Sequence, residues 1–278
     1  MHEAECDSSV GWPESLRSEG RYVNEFEGKI ALVVGASVPG NMGDVTARTL
    51  ADKGATVVVS GLGREPLEAL ARDIGGYAVE ADITRQDDTQ RLVAAVIERY
   101  GRLDIAANFV GVADRVLIRD ITPEHLERMT SINYHGTVWF IQSVADKIVD
   151  GGAIVTTSSL GAYDALVGVA GYVSAKRAAD RFLQAAAIEY RDKRLRINSV
   201  IPTANDTPML RKGIEQYGVA FEDHMKAFID LTPLSRSSTA QDIAWLVCVM
   251  LRDEFFETGQ SWHYGGGNSL LGHPRSLG

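Results

Sequence analysis

Seven short runs of β-branched and aliphatic residues, separated by longer amphipathic stretches, constrain this chain more than any other feature. The runs are Ile30–Val34, Thr56–Val59, Tyr77–Val79, Leu103–Ala107, Ala153–Thr156 and Ile197–Ile201, with a weaker one at Ser261–Tyr264. Several are uninterrupted, as expected of strands covered on both faces of a parallel sheet. The stretches between them carry helix starts. Thr122-Pro123-Glu124 offers an N-cap followed by proline at the first helical position, and Ser238-Thr239-Ala240-Gln241 has capping-box spacing. The alternation predicts one α/β domain: a doubly wound parallel sheet of about seven strands with helices on both faces. A chain of 278 residues can bury such a core without a disulfide or metal. Residues 1–27 are polar, punctuated by Gly11, Pro13 and Gly20, and lack either period. They predict a flexible extension ahead of a domain spanning 28–278.

A net charge of -9 argues against nucleic acid or an anionic membrane as partner. Cys6 and Cys248 make neither a disulfide framework nor a metal site and fit a reducing compartment. The first residues include Glu3, Glu5 and Asp7 and lack the apolar centre of a signal peptide. No apolar run reaches the roughly 18 residues of a membrane span. The expectation is a cytoplasmic protein.

The first strand-to-helix turn reads Gly35-Ala36-Ser37-Val38-Pro39-Gly40-Asn41-Met42-Gly43 and opens a helix over Asp44 to Lys53. Glycines here let the backbone bend sharply and approach a pyrophosphate over the helix N-terminus. A glycine cluster alone is an ordinary turn; between a strand and a helix it predicts a dinucleotide site. Gly35, Ser37, Gly40, Asn41, Met42 and Gly43 are its candidate contacts. The second strand ends Val59-Ser60-Gly61-Leu62-Gly63-Arg64, with no carboxylate for the adenosine ribose before Glu65. Gly61 leaves room for a 2′-phosphate and Arg64 can pair with it, which points to NADP(H), with NAD(H) the alternative. Arg64 also fits a solvated charge at a helix start. Asp82-Ile83 ends the third strand, either beside an adenine ring or as a charge preceding a helix over 85–100.

Asn108-Phe109-Val110-Gly111 ends the fourth strand and Ser158-Ser159 the fifth, at the carboxyl edge where such sheets bind ligands. Thirteen positions after Ser159 comes Tyr172, with Lys176 four further on. On a helix these two share a face, one turn apart. A fixed positive charge beside a phenol lowers its pKa from about 10 and makes it a proton donor and acceptor near neutral pH. The loop between is long enough to cross the mouth of the site, so Ser159 can bond a substrate oxygen that also faces Tyr172. Tyr-x-x-x-Lys by itself is common on exposed helices; its neighbours give it weight.

In order and interval these elements resemble the short-chain dehydrogenase/reductase family over about Phe26 to Leu270. The resemblance rests on the glycine turn, Asp82-Ile83, Asn108-x-x-Gly111, Asn133-Tyr134-His135-Gly136, Ser159, Tyr172-x-x-x-Lys176, Pro202 with Thr207-Pro208-Met209, and Gly265-Gly266. It implies a Rossmann-type fold with Tyr172 as general acid/base and Ser159 positioning and polarising the substrate carbonyl. Lys176 would lower the tyrosine pKa and hold the nicotinamide ribose. Asn133 would anchor a water leading protons to bulk solvent; the plain alternative is a polar residue bonding its own turn. Backbone groups around Ile201 and Pro202, with Thr207, would hold the carboxamide, and the cofactor would supply the hydride. The resemblance also implies a homotetramer or homodimer packed through helices near 123–149 and 171–192. There Ala175, Ala178, Ala179, Ala185, Ala186 and Ala187 would permit close approach or face the sheet.

Three departures stand out. The family turn runs G-x-x-x-G-x-G, whereas Asn41 holds the middle glycine position and Gly35 lies two residues early. Asn-Asn-Ala-Gly becomes Asn108-Phe109-Val110-Gly111, and Pro-Gly after the sixth strand becomes Pro202-Thr203. Residues 205–235 correspond to the family's substrate lid. Its apolar residues Met209, Leu210, Ile214, Tyr217, Phe221, Met225, Phe228 and Leu231 recur at near-helical spacing, most of them to pack the lid on the body. The remainder would line an apolar pocket with Leu160, Tyr163, Ala165 and Leu166. Arg211, Lys212 and His224 are a further option for gripping an acidic substrate. The expected function is an NADPH-linked carbonyl reductase acting on an apolar alcohol or ketone, cyclic ones included. Its alternatives are an NAD-dependent alcohol dehydrogenase and a catalytically silent nucleotide-binding scaffold.

Overall fold

All seven apolar runs become strands, each parallel to its neighbours. A computed structural model describes residues 24–271, apart from 165, 216, 217 and 219. Strands β1 (Ile30–Val34), β2 (Thr56–Gly61), β3 (Tyr77–Glu80), β4 (Ile105–Asn108), β5 (Ala153–Thr157), β6 (Arg196–Pro202) and β7 (Ser261–Tyr264) form one sheet in the order β3-β2-β1-β4-β5-β6-β7. The fourth strand starts two residues later than its apolar run. There the buried Asp104 carboxylate accepts the Ile30 amide (2.8 Å) and is gripped by Arg102, closing the sheet's lower edge instead of extending it.

Side chains alternate between two apolar layers. Ala31, Val33, Val57, Val59, Ile105 and Val155 meet α1 (Met42–Asp52), α2 (Arg64–Asp73) and α9 (Ala240–Leu251). Leu32, Val34, Val58, Ala106, Ile154 and Ile197 meet α3 (Gln86–Tyr100), α5 (Gly136–Lys147) and α6 (Ala170–Glu189). Both sheet faces are covered, so consecutive strand residues are apolar and the runs lack a period of two. Burying each Val or Leu contributes about 1.5–3 kcal/mol.

Helix starts follow the side chains that can cap them. Thr122 accepts the His125 amide (3.2 Å) and opens α4 (Pro123–Thr130) with proline in its first turn. The capping box of α9 lies one residue later than expected, on Thr239 and Asp242. Thr239 accepts the Asp242 amide (3.1 Å), and Asp242 accepts the Thr239 amide (2.8 Å). Arg236 grips the same carboxylate (2.6 Å), while Ser238 donates to Asn205 (2.5 Å).

The N-terminal boundary also moves. Phe26 is 1% exposed, inside the core, and its amide donates to the Lys53 carbonyl (2.9 Å). Glu25 is paired with Lys53 and Arg252, both at 2.6 Å. Residues 24–27 thus belong to the fold; the rest of the expected extension, Cys6 included, lies outside the described residues. A single aromatic anchor carries no period and leaves no pattern to read. Among the described residues no helix is long and apolar enough to cross a membrane.

Candidate active site

The sheet order reverses between β1 and β4, so the connections leaving their carboxyl ends run to opposite faces and open a crevice there. The glycine turn forms one wall. Gly35 has φ +85°, and a Cβ on it would lie 2.8 Å from the Phe109 carbonyl carbon. A Cβ on Gly43 would lie 2.4 Å from the Gly35 oxygen. Neither position tolerates a side chain. Asn41 replaces the family's middle glycine by working for the turn. Its Oδ1 accepts the Asp44 amide (2.8 Å), capping α1, while its Nδ2 donates to the Gly35 carbonyl (2.9 Å). The two extra residues become an exposed tip at Val38-Pro39. The amides of Met42 and Gly43, the first two helical residues, have no intrahelical carbonyl and suit a phosphate at the positive helix end. The Asp44 carboxylate nearby is held by the Gly40 amide (2.9 Å) and Arg48 (3.1 Å).

The crevice has a volume of about 860 Å³ and is lined in part by Gly35, Ser37, Asn41, Gly61, Asp82, Ile83 and Gly111, all expected cofactor contacts. Leu62, Thr84, Val112 and the α4 residues Glu124, Glu127 and Arg128 also line it, none of them a contact expected from the sequence. The residues present fit a dinucleotide: the glycines leave the space, and Gly61 sits against Ser37, whose Oγ would be 3.0 Å from a Cβ there. Asp82 is committed to its own turn, accepting the Thr84 amide (2.9 Å) and hydroxyl (2.8 Å). Asn108 is buried and accepts the Val110 amide (2.9 Å), shaping the strand end. Arg64 opens α2 with its side chain 75% exposed, 3.7 Å from Glu80. Glu80 at the end of β3 also accepts the Gly63 amide (3.0 Å), so Arg64 has a carboxylate partner that the sequence did not suggest.

Asn133, Ser159, Tyr172 and Lys176 come together at the ends of β4 and β5. Asn133 is fully buried in a π-helical turn, Ser131–His135, between α4 and α5. Such one-turn widenings recur at functional sites. Its Nδ2 donates to the Val112 (2.9 Å) and Met129 (3.0 Å) carbonyls, and its Oδ1 accepts the Val112 amide (3.1 Å). The Met129 bond is the plain expectation, a bond within its own turn, and the Val112 bonds tie that turn to the loop after β4. Lys176 donates to the Thr157 (2.8 Å) and Val110 (3.3 Å) carbonyls. A Cβ on Gly111 would lie 3.2 Å from both Lys176 Nζ and Asn133 Oδ1, so a side chain there would crowd both.

Electrostatics differ from the expectation in one respect. Burial pushes the Lys176 ammonium down to about 8, and the Asp180 carboxylate opposes that shift. Tyr172 is held above its ordinary value, first by burial; a hydrogen bond with Ser159 opposes, and Asp180 adds to the rise. The anticipated lowering of the phenol by Lys176 is not realised: burial holds the phenol up, and Ser159, not Lys176, opposes that rise. A phenol kept protonated is suited to giving a proton to a ketone oxygen.

The residues expected at the nicotinamide end lie at the end of β6 and after it. Thr207 caps α7 (Pro208–Glu215), accepting the Leu210 amide (3.2 Å) and keeping its own proton to donate. Thr203, in place of the usual glycine after Pro202, is matched across the sheet. A Cβ on Gly265 would lie 1.7 Å from Thr203 Cγ2. In the lid, Ile214, Met225 and Phe228 are buried, Phe228 against Leu160 and Ile201. Met225 and Phe228 belong to α8 (Phe221–Asp230). Tyr217 and Ala165, and the side chains of Met209 and Lys212, lie outside the described residues. Arg211 is engaged by Asp206 (2.5 Å) and lies 4.0 Å above the Phe221 ring, and burial lowers the His224 pKa; neither is poised for an acidic substrate. Tyr163, expected along the apolar pocket, instead donates to Asp180 (3.0 Å), packs on His263 and lies under Arg177. Of the α6 alanines, Ala175, Ala179, Ala186 and Ala187 are buried within the protomer, leaving Ala178 and Ala185 on the surface.

The comparisons with known proteins agree with this geometry. The family described as enoyl-(acyl carrier protein) reductase matches residues 35–269. The cyclohexanol dehydrogenase of an Acinetobacter species is 30% identical over 86% of this chain and 94% of its own. Versicolorin reductase 1 of Aspergillus parasiticus is 30% identical over 83% of this chain and 92% of its own. The crystal structure of levodione reductase superposes with a TM-score of 0.82 at 25% identity, covering 90% of this chain and 99% of that one.

Proposed function

The chain belongs to the short-chain dehydrogenase/reductase family of oxidoreductases, and on that premise we propose that it is an NADPH-linked carbonyl reductase. Its substrate in this reading is an apolar ketone or the matching secondary alcohol, cyclic ones included. One observation carries the proposal: Tyr172, its phenol held above its ordinary pKa by burial, lies beside Ser159 and on the same helix face as a buried Lys176 at the sheet's carboxyl edge. The Ser159 and Tyr172 hydroxyls converge on one oxygen. Ser159 orients and polarises it, and Tyr172 donates its proton as charge develops there. NADPH bound in the crevice supplies the hydride. Lys176, fixed by two backbone carbonyls, provides the positive charge that stabilises the phenolate left behind and a donor for the ribose. Asn133 holds the loop at Val112 beside this pair, and its π-helical turn offers the route by which the proton is replaced.

Preference for NADPH is supported by the missing acid at the end of β2, the space over Gly61 and Ser37, and Arg64 nearby. One feature favours NADH instead: Glu80 already engages Arg64. The apolar substrate class is supported by the relative that acts on cyclohexanol and by the lid's apolar packing. Association of copies through α4, α5 and α6 would use the exposed Ala178 and Ala185. The test is kcat/KM with NADPH and NADH on a panel of cyclic, acyclic and aromatic ketones. The proposal expects turnover of cyclic ketones with NADPH favoured; no turnover of any ketone with either cofactor would sink it.

A further inference from the structure

Asp180 lies one turn after Lys176 on α6, and the catalytic roles assigned above leave it without one. It is 3% exposed, yet no cation forms an ion pair with it among the described residues. It takes three hydroxyl protons from three separate segments: Ser158 at the end of β5 (2.5 Å), Tyr163 in the crossing loop (3.0 Å) and Ser199 in β6 (2.9 Å). Ser199 continues to Ser261 in β7 (2.8 Å). The cost of burying the charge is met by oriented hydroxyl dipoles instead of a bound cation.

We propose that Asp180 is a positioning residue that keeps the Lys176 ammonium charged in its buried site and fixes the strand end presenting Ser159. Both parts follow from its place. Residues four apart on a helix have Cβ atoms about 5–6 Å apart, and Lys176 otherwise bonds only neutral carbonyls among the described residues. Ser158 adjoins Ser159, so anchoring the Ser158 hydroxyl sets the backbone from which Ser159 projects. Other charged or titratable groups around Asp180 are Tyr172 and Arg177 on α6, Tyr163 in the loop, and His263 on β7 behind the Tyr163 ring. Arg177 reaches the ring of Tyr163 at 4.4 Å and so sits outside the network. A negative charge here raises the affinity of both Lys176 and Tyr172 for protons. Ketone reduction needs both protonated, so Asp180 extends activity to higher pH.

The inference rests on Tyr172 and Lys176 as the proton pair. Asp180→Asn keeps the shape and an accepting oxygen while deleting the charge. The alkaline limb of kcat/KM for ketone reduction should then fall by at least about one pH unit, and Asp180→Glu should restore it. Ser199→Ala, which removes one hydrogen bond and no charge, should lower the melting temperature and leave the limb in place. A folded Asp180→Asn enzyme with an unmoved limb would overturn the proposal and leave the Tyr172 assignment intact. Retention of rate by Tyr172→Phe would instead overturn that assignment. Should Asp180→Asn fail to fold, infrared spectra of wild-type enzyme labelled with 13C-aspartate decide the matter. The proposal requires no protonated carboxyl band at neutral pH that Asp180→Glu removes; such a band would overturn it.

Discussion

Replacing Gly265 by alanine should expose the steric pairing between the ends of β6 and β7. The added Cβ would meet Thr203 Cγ2 at 1.7 Å, Oγ1 at 2.7 Å and Cβ at 2.8 Å. Rotating the threonine relieves the first two contacts but not the third, since its Cβ is fixed by the backbone. The strands must shift, and overpacking of this kind costs about 1–3 kcal/mol. For a domain of this size that lowers Tm by roughly 2–9 °C, at about 2–3 °C per kcal/mol. Thr203→Gly removes all three contacts and should return most of the loss in the double variant, whereas Thr203→Ala should return less. A double-mutant cycle in thermal unfolding, with a coupling above about 1 kcal/mol, is the expected result. A Gly265→Ala protein with unchanged Tm, or one that Thr203→Gly fails to rescue, would refute the pairing.

Two further outcomes follow. Lys176 titrates near 8 when folded and near its ordinary 10.5 when unfolded, so between those values the unfolded chain binds the extra proton. Raising pH through that window therefore stabilises the fold, by up to about 3 kcal/mol, while removing the charge that reduction requires. Stability and activity should move in opposite directions from pH 8 to 9.5, and Lys176→Met should lose the stability trend; a parallel decline in the wild type would contradict the burial argument. Glu80→Gln frees Arg64 and should tighten binding of 2′,5′-ADP relative to 5′-AMP by roughly 2–5-fold in calorimetry, the size of about 0.5–1 kcal/mol for an exposed ion pair. An unchanged ratio would show that Arg64 does not read the 2′-phosphate.

Much of the fold was legible because doubly covered strands leave continuous apolar runs, and all seven runs became strands. The grouping of the candidate catalytic residues was legible because helix spacing links Tyr172 to Lys176 and strand ends deliver Ser159. What stayed hidden depends on contacts between distant segments. Asp180 repeats the four-residue spacing beyond Lys176, but Ser158, Tyr163 and Ser199 gather on it only after β5, α6 and β6 assemble. Thr203 and Gly265 each look unremarkable alone; their complementarity exists only across the sheet. The capping box slipped by one residue because Ser238-x-x-Gln241 and Thr239-x-x-Asp242 fit the same pattern. Arg236, gripping Asp242, favours the second through a group outside the box itself. Tyr163 was expected along the substrate pocket because apolar rings suggest pockets, whereas its hydroxyl was claimed by a buried carboxylate.

The central claim, that Tyr172 passes the proton during carbonyl reduction, is tested most directly by Tyr172→Phe in single-turnover reduction of a cyclic ketone. Removing the hydroxyl leaves the ring's packing and the cofactor crevice in place. The expected result is a loss of about 10²–10⁴-fold in the rate of NADPH consumption, with NADPH affinity within a few-fold of wild type. A folded Tyr172→Phe enzyme that oxidises NADPH at the wild-type rate would contradict the account.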